Sequence, residues 1–326
     1  MPISRRLIVA GLFVSTVVGL RGVSAGFKGA ATPEGPVPDL VLTPVVTPAY
    51  PVPSAIELPA RGWPPTGSSV PAQAAASLPT WRRNAIAPPI MDGRPAITVV
   101  IDDMGWMHPH TEQAMALPGP LTLSWFPFAP RLPEQVASGA ARGHEAMLHM
   151  PMQSSTNSIL QTGPDPLRID LPLAVNLARL KAAIAAVPST VGLNNHMGSV
   201  ATRDLPLMEM VAKETRDRGM LFLDSITVAH SVGLSSAEAA GVPSAGRDIF
   251  IDYKMDAAAI RGQLEQIEAM ARRRGHCIAI GHPRPLTLAA LEVWLPTLAK
   301  KGFALWPMSA TVAWRNNIDV RPSHAA

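Results

Sequence analysis

From Ile90 onward the sequence predicts an α/β fold, a closed or nearly closed barrel of parallel strands. Short apolar runs alternate there with segments that are apolar at helical spacing. About eight such β-then-α units fit into roughly 220 residues, the proportions of a β/α barrel. Polar, chemistry-bearing residues fall where the apolar runs end, which is where such barrels build their active sites. A doubly wound open sheet is the alternative that periodicity alone leaves standing.

The chain opens differently. Arg5 and Arg6 precede an uncharged apolar run from Leu7 to Leu20, followed by the small residues Val23-Ser24-Ala25. A positive start, a short apolar core and a small-residue site describe an export signal over residues 1–25. Left uncleaved, residues 7–20 would anchor the chain in the inner membrane, so a periplasmic or otherwise exported location is expected either way. Residues 26–90 are rich in Pro and Ala. Proline totals 34 in the 326-residue chain, and its recurrence at Pro33, Pro36, Pro38, Pro44, Pro48, Pro51 and Pro53 forbids a helix or central strand. This stretch is expected to be an extended, disordered spacer. Trp63 and Trp81 within it are candidates to dock on the body or a partner, against the commoner case of linker aromatics without a role. The body is expected over residues 91–316, with a tail at 317–326.

Composition narrows the classes. The chain is 47% hydrophobic with mean hydropathy +0.17, enough to bury a large core. The net charge is only +4, and the one long basic run, Arg272-Arg273-Arg274, stands just before Gly275. Cations there complement a helix C-terminus, which argues against nucleic acid as a partner. A single cysteine, Cys277, excludes an internal disulfide.

The predicted strands are Ile97–Ile101, Leu121–Trp125, Glu145–Leu148, Val191–Asn194, Leu221–Leu223, Ile249–Ile251, Cys277–Ile280 and Phe303–Trp306. The first is dense in β-branched residues, as a strand buried on both faces should be. Helices are predicted over Leu173–Ala186, Leu207–Arg218, Ala257–Arg274 and Leu286–Ala299. Asp204 and Asp256 are placed to cap helix starts, and Gly219, Gly275 and Gly302 to end helices.

The first strand ends in Asp102-Asp103, the third in His149, the fourth in Asn194-Asn195-His196, the fifth in Asp224-Ser225, the sixth in Asp252 and the seventh in His282-Pro283-Arg284. Taken alone, an acid pair before a glycine reads equally well as a helix cap. Three histidines and four carboxylates on one rim are harder to explain by packing, since buried polar groups need partners. A carboxylate–imidazole set without thiolate suits zinc or another first-row divalent metal. Paired acids can divide the work between holding the metal and taking a proton from water, which describes metal-assisted hydrolysis of an amide or ester. Trp106, His108 and His110 follow the acid pair and are candidates for a substrate wall or a second metal pair. Trp125 is a candidate stacking platform for a sugar, against the commoner fate of core packing.

The order Ile101-Asp102-Asp103-Met104-Gly105, Leu148-His149-Met150-Pro151-Met152, Asn194-Asn195-His196-Met197-Gly198-Ser199, Phe222-Leu223-Asp224-Ser225, Gly281-His282-Pro283 resembles the divergent polysaccharide deacetylase family of bacterial envelope proteins. The resemblance spans roughly 95–311 and extends to the wider NodB-like carbohydrate deacetylases. It implies a distorted seven- to eight-stranded (β/α) barrel and a divalent metal, usually zinc, held by one Asp and two His. It further implies Asp102 as general base, Asp103 as metal ligand and His282 as general acid. Ordinary members place two ligands four apart, but four residues after His149 stands Gln153, so His196 takes the third position beside His149. The arginine that orients the base in those enzymes has Arg284 or Asn195 as stand-ins, and Met104 interrupts the usual Asp-Asp-Gly. Asp224, Ser225 and Trp106 complete the set expected to bind substrate or orient ligands.

The expected function is therefore an exported, metal-dependent deacetylase acting on an N- or O-acetylated cell-envelope or peptidoglycan-type glycan. The alternative is a catalytically weak envelope protein that binds glycan or a protein partner through the same rim.

Overall fold

A computed structural model of the protein describes residues 78–86, 93–106, 109–156 and 162–318. The signal or anchor, most of the spacer, residues 319–326 of the tail, Trp63 and His108 lie outside the described residues. No helix among the described residues is long and apolar enough to cross a membrane.

The elements in chain order are α1 (Thr80–Asn84), β1 (Ala96–Met104), α2 (His110–Met115), β2 (Thr122–Trp125), α3 (Leu132–Ala141), β3 (Glu145–Met152), α4 (Leu173–Ala186), β4 (Thr190–Met197), α5 (Leu205–Asp217), β5 (Leu221–Asp224), α6 (Gly233–Ala239), β6 (Ser244–Gly246), β7 (Ile249–Phe250), α7 (Ala257–Arg274), β8 (His276–Gly281), α8 (Pro285–Trp294), β9 (Ala304–Leu305) and α9 (Met308–Arg315). All eight anticipated strands and four anticipated helices are present. Asp204 Oδ1 accepts from Leu207 N at 2.9 Å and Asp256 Oδ1 from Ala259 N at 2.9 Å, so both predicted caps form. Gly275 ends α7 in the left-handed conformation at φ 80°. The predicted helix over Leu286–Ala299 instead breaks after Trp294 into a 3₁₀ turn, Leu295–Thr297, because Pro296 cannot donate to the α-helical ladder. The helices α2, α3 and α6 and strand β6 are too short to leave a periodic signature.

The strands pair in parallel, in the order β6-β5-β4-β3-β2-β1-β8-β7, with β9 on the first two residues of β1. The edge strands β6 and β7 are not bonded to each other, yet only Arg247 and Asp248 separate them in the chain. Two residues reach no further than about 11 Å between flanking Cα atoms, so the sheet must curl until its edges meet. It is a barrel with a seam. Asp248 and Arg315 clamp that seam: Arg315 Nη2 lies 2.5 Å from Asp248 Oδ2, Arg315 Nη1 donates to Gly246 O at 3.1 Å, and Asp248 Oδ2 accepts from Ile278 N at 2.8 Å.

Strand alternation sorts the side chains. Ile97, Val99, Ile101, Leu148, Leu193, Phe222, Cys277 and Ala279 pack outward against the helices. Val100, Met147, Val191, Leu221, Leu223, Ile278 and Ile280 point inward and meet Met308, Val312 and Ala313 of α9, which plugs the barrel. The stretch 78–86, counted with the spacer on sequence grounds, docks here as well. Trp81 is 2% exposed in the interior cluster, its backbone N–H donates to Gly219 O at 2.9 Å, and Asn84 Nδ2 donates to Thr190 O at 2.8 Å. Gly219 precedes β5 and Thr190 opens β4, so α1 covers the end of the barrel where strands begin. With that end closed, the opposite rim is left to the βα loops.

The plug meets a buried acid at the start of β3. Glu145, 1% exposed, accepts from Thr122 Oγ1 at 3.2 Å and from Ser309 N at 3.0 Å, and also pairs with Ser309 Oγ. Burial outweighs these bonds and pushes its carboxyl up from 4.5 to about 7. Between these values the folded state holds a proton that the unfolded chain releases, so stability falls as pH rises. The loss across the window amounts to roughly 3 kcal/mol. Denaturant melts of the wild type from pH 4.5 to 8 should show that decline, and Glu145→Gln should flatten it.

Candidate active site

The site begins with an interruption of β1. Alternation from Thr98 and Val100 turns Asp102 inward, and would turn Asp103 outward into the helix layer. The register against β2 slips between Ile101 and Met104, and Asp103 adopts φ 58°. This bulge aims two consecutive carboxylates at the same rim. A left-handed backbone on a non-glycine residue costs about 1–2 kcal/mol, and the surrounding packing must hold it there. Met104 resumes the core at 0% exposure. Gly105, at φ 89°, follows where an added Cβ would meet Ala129 Cβ at 2.5 Å. The methionine that interrupts Asp-Asp-Gly is thus the residue that anchors the bulge to the core.

Three groups converge just beyond it. Asp103 Oδ1 lies 3.2 Å from His149 Nε2 and 3.1 Å from His196 Nδ1, and the two ring nitrogens are 3.1 Å apart. Asp103 Oδ1 is buried and makes no well-formed hydrogen bond despite these distances. Three lone-pair atoms facing one point, with an orphaned oxygen among them, are what a cation would satisfy. Tetrahedral ligation at 2.0–2.1 Å from the metal separates ligand atoms by about 3.3 Å, close to the spacings found. Asp103, His149 and His196 therefore fit a divalent metal by donor chemistry and by spacing.

The tautomer of His149 is fixed to suit. Its Nδ1 donates to Asn194 Oδ1 at 2.9 Å, which leaves the Nε2 lone pair facing the triad. Asn194, fully buried, also accepts from Ser124 Oγ at 2.6 Å and donates to Asp102 Oδ1 at 2.8 Å and to Ser225 Oγ at 3.1 Å. One amide thus orients both the proposed base and a proposed ligand. Across the rim, Asp252 Oδ1 accepts from His282 Nδ1 at 2.9 Å, while Asp252 Oδ2 accepts from His282 N at 3.0 Å and Thr287 Oγ1 at 2.8 Å. Nε2 of His282 is left as its working nitrogen.

Electrostatics follow from the same contacts. Burial raises Asp102 above the usual carboxylate range, with His149 and His282 offsetting only part of the effect. Burial also opposes the charge on Asp103, but His149 and His196 hold its carboxyl well below the usual range. For His282, burial disfavours the imidazolium, yet the Asp252 hydrogen bond and the nearby Asp103 charge raise its pKa.

The structure sorts the remaining candidates. Asn195 does not reach Asp102. It alternates to the other face of β4, where Oδ1 accepts from Ser225 N at 2.9 Å and Nδ2 donates to Met197 O at 2.8 Å. Its neighbour Asn194 bonds Asp102 instead. Asp224 meets no ligand histidine, because it too points outward. Its oxygens accept from Ile226 N, Ser231 Oγ and Leu234 N, shaping the loop into α6. Ser225 does reach the site, through Asn194. Arg284 serves as the N-cap residue of α8 with no side-chain bond to Asp102. Trp106, 42% exposed, packs edge-on against Phe126 and Phe128 at 5.2 and 5.1 Å, and Phe126 lies 4.8 Å from the His196 ring, so an aromatic wall flanks the triad. Trp125 is 1% exposed in the core and offers no platform. His110 opens α2 and bonds Gln113, away from any metal cluster. A cleft of about 570 Å³ lined by Gln153, Gly163, Arg168 and Arg179 lies beside the aromatic wall, where Gly163 abuts Phe128, rather than over the triad. Asn194 and the orienting role of Asp252 escaped sequence reasoning. Counting alternation back from His196 would have found Asn194.

Comparison with known proteins identifies the family of the chain. The sequence profile of the family described as divergent polysaccharide deacetylase matches residues 99–312. The chain is 34% identical over 209 residues to the uncharacterized protein YibQ of Escherichia coli, covering 64% of each, and so spans less than two thirds of that relative's length. It is 33% identical over 202 residues to an uncharacterized protein of Haemophilus influenzae, covering 62% of this chain and 71% of the other. The crystal structure of an uncharacterized Agrobacterium tumefaciens protein superposes with a TM-score of 0.69 at 26% identity, covering 73% of this chain and 96% of that one.

Calorimetric titration with zinc or cobalt should show one divalent ion bound per chain. Asp103→Asn should abolish that binding, and Asn194→Ala should weaken it by roughly ten- to hundredfold through loss of the tautomer constraint.

Proposed function

Because the chain belongs to the divergent polysaccharide deacetylase family, we propose that it is an exported metal-dependent hydrolase that removes an acetyl group from a cell-envelope glycan. The observation that carries this reading is the convergence of Asp103, His149 and His196 to within hydrogen-bond distance of one another, with Asp102 3.7 Å from His149 Nδ1. When bound, a divalent cation, with zinc suited to this donor set, supplies Lewis acidity: it polarises the acyl carbonyl and acidifies water. Asp102, held by Asn194, accepts the proton from the attacking water. His282, held by Asp252, delivers a proton to the departing sugar amine or hydroxyl. The Trp106–Phe126–Phe128 wall bounds the site on one side and keeps water from that flank. Export and a possible inner-membrane tether rest on the Arg5-Arg6 start and the apolar run from Leu7 to Leu20.

Acetate release from acetylated glycan oligomers, with and without chelator, tests the reading. Chelation should abolish activity and zinc or cobalt should restore it. Asp102→Asn should reduce kcat by about 10²- to 10⁴-fold, the range for loss of an acid–base group. A metal-loaded protein with no activity on any acetylated glycan would sink the proposal.

The pH profile offers a second check. His282 must be protonated to act as acid, and Asp252 raises its pKa. Activity should fall on the alkaline side as His282 loses its proton. Asp252→Asn should move that limb to lower pH, as well as lowering kcat.

A further inference from the structure

The seam of the barrel holds a cation that the deacetylation scheme does not use. Arg247 sits on the two-residue link between β6 and β7, part-buried. Its Nε donates to Ser225 O at 2.7 Å and its Nη2 to Ile226 O at 2.9 Å. Both acceptors are neutral carbonyls at the end of β5. Its guanidinium carbon lies 3.7 Å from the centre of the Phe250 ring, and Phe250 in turn stacks on His282 at 6.1 Å and 23°. Arg247 therefore stands on the general-acid side of the rim, near enough for its charge to act on Asp102.

No carboxylate forms an ion pair with it among the described residues, although the charges of Asp248, Asp224 and Asp102 act on it from further off. Asp224 is taken by Ser231 and the Leu234 amide, and Asp248 by Arg315 and Arg274. Burial correspondingly lowers the Arg247 pKa to about 10. A desolvated cation bonded only to two carbonyls, with its acids beyond ion-pair distance, is an expensive way to hold them, a task that a neutral donor performs. The bonds in place use one edge of the fork, Nε with Nη2. The adjoining edge, Nη1 with Nη2, keeps two parallel donors, the pattern that matches a carboxylate or phosphate bidentately.

We propose that Arg247 is a specificity-determining residue that receives an anionic group of the substrate, so that the glycan acted on carries a carboxylate or phosphate near its acetyl group. The proposal rests on the deacetylase reading of the site and narrows its substrate class. It differs from the base-orienting role expected of Arg284, because Arg247 bonds backbone carbonyls rather than Asp102.

The test is calorimetric binding to the metal-loaded protein. Three probes serve: a soluble N-acetylglucosamine–N-acetylmuramic acid tetrasaccharide, the same molecule with its carboxylates methyl-esterified, and a phosphorylated N-acetylglucosamine oligomer. The wild type should bind an anionic probe roughly tenfold or more tighter than the ester, the scale of one charged hydrogen-bonded contact. Preference for the first probe assigns the anion as carboxylate, and preference for the third as phosphate. Arg247→Met should erase the preference while leaving ester affinity in place, and Arg247→Lys should retain part of it. Equal binding of acid, phosphate and ester by the wild type overturns the role of Arg247 alone, whatever the variants do. Failure to bind any of the three overturns the glycan reading itself. A preference that survives in Arg247→Met also overturns the proposal.

Discussion

Two neighbouring side chains on a strand point opposite ways, and this protein needs two neighbouring carboxylates to point the same way. The bulge at the end of β1 resolves that conflict. It places Asp103 at φ 58° and slips the register against β2, while Met104 pins the distorted strand back into the core. Every other feature of the rim takes its place from this kink. Asp103 turns toward His149 and His196 because of it, and Asp102 keeps its inward direction beside Asn194. A flat continuation of β1 would send Asp103 among the helices, where a buried carboxylate has no partner.

The second constraint is the complete use of one buried amide. Asn194 has two donors and an acceptor oxygen, and all are engaged: with Asp102, Ser225, His149 and Ser124. It couples Asp102 to His149, so neither can turn without leaving a buried group unpaired. Asp252 does the corresponding work for His282. The scaffold beneath is rigid for a different reason. Its closed end is filled by α9 and capped by Trp81, and its seam is clamped by Arg315, so the loops on the open rim stand on a packed barrel.

The sequence by itself determined the fold class, because apolar period, β-branched content, caps and helix-ending glycines are local properties that survive without tertiary context. The order of its motifs, through their resemblance to the deacetylase family, singled out Asp103, His149, His196, Asp102 and His282 from the polar residues that end the strands. Only the tertiary structure decided which neighbour of a pair does the work. Asn194 rather than Asn195 faces Asp102, Ser225 rather than Asp224 reaches Asn194, and Trp106 rather than Trp125 stays exposed. Those choices hang on the phase of each strand, and phase shifts at bulges such as the ones in β1 and between β3 and β4. The position of Arg247 was likewise invisible, because it depends on how the sheet closes. Closure is a long-range matter: two residues between β6 and β7 enforce it only once the other strands have taken their order.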